Sequence, residues 1–150
     1  MKPKCRLCTF YLDALWFGVA IERVQELVSR PIVRPVPLAS LGVAGLVNLR
    51  GRILTVVDLW LRLGMQDRQN PPQPAMVVVR NGNSLSGLVV DEIGEIVDAE
   101  ERLFEASPVT PPDAQGMVLR VCKFPRRLLQ VLDVDRVLLA DRRSDPLRES

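Results

Sequence analysis

Residues 45–59 read GLVNLRGRILTVVDL, in which two apolar stretches are joined by a polar corner. The glycine at position 51 permits the positive φ angle or close backbone approach that such a reversal requires. Ile53 to Val57 is rich in β-branched residues and bounded by turn residues, which predicts a largely buried strand. Arg50 is then a charged side chain at a rigid corner beside apolar surface, a position that suits protein binding better than catalysis.

Short strands are predicted on both sides of this corner. One predicted hairpin consists of residues 6–12 and 15–19, joined by an Asp13-Ala14 turn. A second hairpin is predicted around Asn81-Gly82, a residue pair that suits the turn whose twist matches that of the strands. The remaining predicted strands are residues 75–80 and 85–90 around Asn81-Gly82, a short strand near 93–97, and a last hairpin of 117–124 with 128–132.

Helices are predicted to be few and short. The apolar spacing of residues 20–27 indicates a helix, residues 40–49 a second one, and Asp133 caps a closing helix through Leu139. Prolines make residues 29–37 an extended connector, and residues 66–74 and 105–115 are predicted loops. Many short strands without βα alternation favour antiparallel barrels over a doubly wound sheet.

The composition excludes several classes of protein. A chain of 150 residues can bury a core without disulfides or metal. The net charge is only +2 and the arginines are scattered, so a small β-barrel nucleic-acid binder stays a remote alternative. No run approaches the roughly 18 apolar residues of a membrane span. The N-terminus also lacks the apolar core of a signal peptide. We therefore expect a cytoplasmic protein without membrane insertion.

Catalytic and metal sites are poorly supported. The chain has no histidine, which removes the commonest general base and metal ligand. Cys5 and Cys8 have the spacing of a redox or zinc site, but Cys122 is the only further cysteine and zinc needs four ligands. In a strand, residues three apart point to opposite faces, so ordinary thiols are expected.

An acidic stretch is the other candidate for chemistry. Paired carboxylates could hydrolyse glycosides or bind a divalent cation. The spacing fits no calcium loop, and a solvated acidic edge is the preferred interpretation. These residues are Asp91, Glu92, Glu95, Asp98, Glu100, Glu101 and Glu105. No enzymatic activity, metal or cofactor is expected.

Three blocks of sequence, in order, resemble CheW-like domains, the coupling proteins of bacterial chemosensory arrays. They are residues 17–27 (FGVAIERVQEL), residues 48–59 (NLRGRILTVVDL) and residues 87–93 (GLVVDEI). With the last strand and helix, the resemblance covers roughly residues 6 to 140. Thr55 departs from the proline of many members, and Trp60 stands where a smaller or charged residue is expected.

The resemblance implies a mainly β fold of two small five-stranded antiparallel β-barrels that share strands, with two or three short helices. The chain would be a single domain, with a core at about 6–140, a groove between the barrels and a frayed tail at 141–150. Its implied partners are the cytoplasmic tip of chemoreceptors and the regulatory domain of the histidine kinase CheA, so it would be recruited to receptor arrays. A monomer in isolation is expected, and a pathway for motility, biofilm control or development is the alternative to chemotaxis.

The resemblance also implies site residues. It places Val24 and Leu27 at the edge of the groove with Glu26 at its rim near Arg50, whereas residues 24–27 alone could equally be a surface helix with its apolar side in the core. Gly45→Asp is expected to abolish partner binding without unfolding the protein. The partner-binding residues are Val24, Glu26, Leu27, Gly45, Asn48, Leu49 and Arg50, and the structural corner is Gly51 and Asp58.

Overall fold

The computed structural model describes residues 4–37, 42–65, 74–106 and 116–138, and within them the fold is mainly β. One short helix, α1, spans Leu59–Arg62, a helical turn covers 134–138, and 3-10 turns lie at Ile21–Arg23 and Glu101–Leu103. The strands are β1 Lys4–Leu12, β2 Leu15–Ala20, β3 Val24–Ser29, β4 Val43–Leu49, β5 Arg52–Asp58, β6 Ala75–Asn81, β7 Ser84–Val90, β8 Glu92–Glu100, β9 Phe104–Ala106, β10 Val118–Phe124 and β11 Arg127–Leu132.

The first barrel contains both ends of the described chain. Its strands are hydrogen-bonded in the order β8-β1-β2-β11-β10-β9. Only a 3-10 turn separates β8 from β9, and the two pair with opposite edges, β1 and β10. A single bent segment thereby closes a ring of five strands. The β11–β2 pair is parallel and the others are antiparallel.

The second barrel consists of the middle of the chain, in the order β3-β6-β7-β5-β4. Just beyond β3, Arg34 forms an isolated bridge with Leu46 of β4, so this ring is closed in the same way. Its one parallel pair is β5 with β7. The predicted mainly β fold of two small barrels with few short helices is confirmed, with one parallel pair in each barrel.

The two halves of the chain repeat one another, which the sequence did not reveal. Each half runs through a hairpin, a strand that crosses to the other barrel, a closing segment, a second hairpin and a helical turn. The crossing strand β3 pairs with β6, and its counterpart β8 pairs with β1. The second hairpins are β4–β5 and β10–β11. Positions in one barrel therefore have counterparts in the other.

Three apolar clusters hold this arrangement together. One contains only first-barrel residues, such as Leu7 and Leu129, and another only second-barrel residues, such as Val56 and Met76. The third and largest draws on both barrels and fills the space between them. We call these the first-barrel, second-barrel and between-barrel clusters, respectively. Residues 75–79 of β6 are all buried because they face the barrel interior and the space between barrels in turn. Such a strand appears in sequence as a continuous apolar run.

The predicted hairpins at the N-terminus, around Asn81-Gly82 and before Asp133 are all present. Asp133 Oδ1 accepts a hydrogen bond from the backbone N–H of Arg136, as a helix cap should. The predicted strand near 93–97 is the middle of β8. Residues 66–73 and 107–115, most of the two predicted loops, lie outside the described residues, as do 141–150.

Two predicted helices are wrong. Residues 24–29 form β3, whose burial alternates residue by residue, after a single 3-10 turn at Ile21–Arg23. Residues 43–49 form β4, where valines and Gly45 favour a strand over a helix. In both cases cross-strand hydrogen bonding outweighs a helical spacing that extended over only two turns.

Candidate functional site

The polar corner of residues 48–51 is a two-residue hairpin turn between β4 and β5. Leu49 pairs with Arg52, and the two turn residues, Arg50 and Gly51, have φ angles of 50° and 87°. Positive φ at both positions is typical of a type I′ turn, whose twist matches that of the strands. The side chain of Asn48 accepts a hydrogen bond from the backbone N–H of Gly51 at 2.9 Å.

Arg50 is the unusual residue of this turn. A non-glycine residue in the left-handed region carries a cost of roughly 1–2 kcal/mol, which asparagine or glycine would reduce. Its guanidinium donates a hydrogen bond to the Glu26 carboxylate of β3, and this bond and the negative charge raise the pKa of Arg50. The Arg50 side chain is nevertheless 72% exposed, against 25% for Glu26. The pair is therefore accessible to a partner.

Exposed apolar side chains accompany the ion pair on the second barrel. Leu27 on β3, Leu46 on β4 and Ile53 on β5 are all exposed, Ile53 to 60%. In the β4–β5 ladder, Ile53 pairs with Asn48, one residue pair away from the turn. Leu46 and Ile53 were not predicted as site residues, although both lie in a hairpin whose strands alternate between core and surface.

The structure brings together only some of the predicted site residues. Glu26, Asn48, Arg50 and Gly51 meet at the turn. Val24 and Leu49 are partly buried and pack against the between-barrel cluster and the second-barrel cluster, respectively. Leu27 follows Glu26 directly in an extended strand, so its side chain points to the opposite face.

Gly45 is a packing residue, and its surroundings argue against the expectation that Gly45→Asp leaves the fold intact. Gly45 is buried at φ 149°, and a Cβ atom there would lie 2.1 Å from the carbonyl oxygen of Arg34. Arg34 and Leu46 exchange two backbone hydrogen bonds, of 2.8 and 2.9 Å, at this point. Gly45 therefore permits the contact that closes the second barrel.

Asp58 terminates β5 and caps α1. Its carboxylate accepts a hydrogen bond from the backbone N–H of Leu61 at 3.3 Å, and its own N–H donates to the carbonyl of Gly42. Trp60 is partly buried and packs against the between-barrel cluster. Both residues have structural roles.

The acidic stretch is largely neutralised by cations from other elements. Arg6 contacts Asp98 at 2.8 Å, and its hydrogen bond lowers the pKa of that carboxyl. The remaining ion pairs are Arg102–Glu100, Arg120–Glu101, Lys123–Glu105 and Arg127–Glu95. Within the described ranges, no cluster of three potential metal ligands occurs.

The cysteines behave as ordinary side chains. Cys8 is buried in the between-barrel cluster, whereas Cys5 packs against the first-barrel cluster, as opposite faces of β1 require. Burial raises the pKa of both thiols. A raised pKa disfavours the reactive thiolate.

One connection could not be inferred from the sequence. Arg23 donates hydrogen bonds to Asp135 at 2.6 Å and to the carbonyl of Arg80, joining the first 3-10 turn to β6 and the C-terminal helical turn. The hydrogen bond from Arg23 lowers the pKa of Asp135. These residues are too far apart in sequence for any local pattern to predict the contact.

Comparison with known proteins identifies the class. A model of the CheW-like domain family matches residues 6–142, so the chain belongs to that family. It is 28% identical over 138 residues to a "Chemotaxis protein CheW" of Rhizobium meliloti, covering 91% of this chain and 89% of that protein. A protein of the same name from Bacillus subtilis is 22% identical over 92% of this chain and 89% of its own length.

A solved structure and a more distant relative extend the comparison. The fold is similar to that of the scaffolding protein TtCheW from Thermoanaerobacter tengcongensis, with a TM-score of 0.79 at 24% identity, over 89% of this chain and 90% of that one. "Protein PilI" of Pseudomonas aeruginosa is 30% identical over 56% of this chain and 47% of its own length. Among the residues that the structure describes, no helix is long and apolar enough to cross a membrane.

Proposed function

We propose that this protein is a non-enzymatic adaptor that joins the cytoplasmic tip of a chemoreceptor to the regulatory domain of a CheA-type histidine kinase. Membership of the CheW-like family and relatives named as chemotaxis proteins support this role. As a cytoplasmic monomer, it would be recruited to membrane-bound receptors by binding alone. The match to PilI keeps a chemosensory pathway other than chemotaxis as the second candidate.

The observation that carries the proposal is the conformation of Arg50. A strained backbone persists where the surrounding structure enforces it, and such residues cluster at binding sites. Here the strain presents a guanidinium, paired with Glu26, on the same hairpin as exposed Ile53. Arginine next to apolar anchors is typical of protein interfaces, because its planar group binds carboxylates while its stem packs against apolar surface.

The direct test is titration calorimetry with each proposed partner. We expect micromolar association with an isolated CheA-type regulatory domain and with a receptor signalling-tip fragment from the same organism. Binding of both at once would establish the adaptor role. Absence of heat and of co-elution with both partners would contradict it.

A second expectation concerns Arg50→Asn. Asparagine tolerates the left-handed region, so the turn should relax by about 1 kcal/mol, which offsets the loss of an exposed ion pair worth roughly 0–1 kcal/mol. The melting temperature should therefore stay the same or rise, while receptor binding falls. Thermal denaturation and calorimetry on one preparation measure both. A clearly destabilised variant would show that Arg50 is retained for folding.

A further inference from the structure

The two ends of the first barrel are filled differently. At one end, the rings of Trp16 and Phe124 pack against each other with their centres 5.4 Å apart. At the other end, small side chains occur among those that face the interior. Cys5 and Ala99 pair across β1 and β8 and contribute to the first-barrel cluster, and Ala20 is the last residue of β2. Small inward-facing residues leave the interior of a narrow barrel incompletely filled.

A cavity of about 180 Å³, open to solvent, occupies this second end. Aliphatic side chains near the ends of β1, β2, β10 and β11 form much of its wall. At roughly 30 Å³ for each small group, the space holds about six non-hydrogen atoms, which suits a small molecule rather than a protein segment. The polar residues in the wall are Cys5, Arg23, Arg120 and Asp133.

Arg120 is directed into the barrel and held there. It pairs with Val131 and precedes Cys122 by two residues in an extended strand, and both of those residues are buried in the first-barrel cluster. Its guanidinium carbon lies 3.9 Å from the centre of the Phe104 ring. Nη1 and Nη2 lie 2.9 and 3.5 Å from the two carboxylate oxygens of Glu101. These contacts engage one edge of the guanidinium and leave the edge that carries Nε.

The Nε–H group of Arg120 is a buried donor without an acceptor. Its nitrogen is inaccessible to solvent and has no hydrogen-bond partner among the residues that the structure describes. Burial raises the pKa of the Cys5 thiol, and the nearby charge of Arg120 opposes that increase. A thiol sulfur is only a weak acceptor, however, and a buried donor left unpaired destabilises a protein. A carboxylate on a ligand would pair with this edge, because a guanidinium can bind carboxylates along more than one edge.

The remaining polar residues of the wall decide the charge of the ligand. Arg23 forms an ion pair with Asp135 at 2.6 Å, and the Asp133 carboxylate accepts a hydrogen bond from the backbone N–H of Arg136. Asp135 and Glu101, the acids that pair with the two arginines, are not part of the wall. The wall therefore contains two cations and one anion, which favours an anionic ligand over a cationic one.

We propose that this cavity binds a small aliphatic carboxylate of about four carbons, a size set by its volume. The carboxylate accepts a hydrogen bond from Nε of Arg120, and the alkyl chain contacts aliphatic side chains such as Leu7 and Val131. The site lies in the first barrel, whereas the Arg50 turn belongs to the second. It does not depend on the proposed adaptor role, and its test requires no protein partner.

Titration with sodium butyrate, followed by nuclear magnetic resonance of the ¹⁵N-labelled protein, tests the proposal. Sodium chloride at equal ionic strength is the reference. We expect saturable changes at the amides of Cys5, Ala20 and Val131 and at the Nε–H signal of Arg120, with a Kd of roughly 1 mM, as so small a ligand allows. Acetate lacks the chain and 1-butanol lacks the charge, so each should bind roughly tenfold more weakly or worse.

Three variants locate the binding. Arg120→Met removes the donor while keeping an unbranched side chain, and butyrate affinity should fall by roughly tenfold or more. Ala20→Leu fills the cavity without changing Arg120 and should abolish binding. Arg102→Met is the matched control, since it removes an exposed arginine of the adjacent 3-10 turn that is not part of the wall, and it should bind as the wild type does.

Several results would overturn the proposal. Signal changes that sodium chloride reproduces, or acetate binding as tight as butyrate binding, would show an adventitious ion only. Unchanged butyrate affinity in Ala20→Leu would place the ligand elsewhere, and unchanged affinity in Arg120→Met would remove the role of the unpaired donor. If Arg120→Met fails to fold, Ala20→Leu and the comparison of the three ligands still decide.

Discussion

Arg50→Glu is expected to weaken receptor binding strongly while leaving the fold intact. The substitution places a carboxylate against Glu26, and a partner that desolvates both groups leaves two uncompensated negative charges. Truncating or reversing a desolvated charge typically costs about 2–5 kcal/mol of binding free energy, or at least roughly thirtyfold in affinity. Because the Arg50 side chain is 72% exposed, the melting temperature should change little. Calorimetry and thermal denaturation measure the two effects.

The second half of this experiment is the exchange of the two charges. Glu26→Arg combined with Arg50→Glu restores an attractive pair and should recover part of the lost affinity. Arg52→Glu is the matched control, since it makes the same charge change on the same hairpin outside the turn. A double variant that binds no better than the weaker single variant would show that the pair does not act as a unit. Arg50 could then act only through direct contact with the partner.

Gly45→Asp should destabilise the protein severely. The new Cβ would overlap the carbonyl of Arg34, which must move, and both backbone hydrogen bonds of the bridge would be lost. Overpacking and backbone strain each cost roughly 1–3 kcal/mol, so a total of about 3 kcal/mol or more is expected. For a chain of this length, that lowers the melting temperature by roughly 6–12 °C. Chemical denaturation provides the free energy of unfolding.

Gly51→Val separates backbone strain from steric overlap. Gly51 has a φ angle of 87°, but a Cβ atom there would meet nothing within 4 Å. Its substitution should cost more than ~1 kcal/mol from the dihedral angle alone, and clearly less than Gly45→Asp. If the two variants lose equal stability, the contact with Arg34 contributes nothing. An unchanged melting temperature for Gly51→Val would show that the corner is unstrained.

Strands with strong local signals could be predicted from the sequence, whereas the crossing strand β3 could not. The β6–β7 hairpin is marked by Gly82, which has a φ angle of 64° at the first position of the two-residue turn between Asn81 and Ser84. The turn therefore lies one residue later than the predicted Asn81-Gly82 pair. Residues 20–29 carry no such signal, since the same apolar positions satisfy both a helix and a strand over so short a distance. Pairing with β6, which is distant in sequence, decides the outcome.

The candidate site was predictable only in part. Glu26 and Arg50 could be placed together through the family resemblance, and their contact is present. The closing role of Gly45 could not be foreseen, because it depends on a bridge to Arg34 that no local pattern specifies. The internal repeat was hidden because the two halves share strand pairing rather than residue identity.

The large apolar cluster between the barrels determines how this molecule can respond to force. Rotating one barrel against the other would expose side chains such as Phe10, Val77 and Leu132, at about 25 cal/mol for each Å² of apolar surface. Relative motion between units is the rule only where their interface is small or polar. We therefore expect the two barrels to move together. A displacement imposed on the Arg50 turn should then be passed on to the first barrel instead of being absorbed by rotation between the barrels.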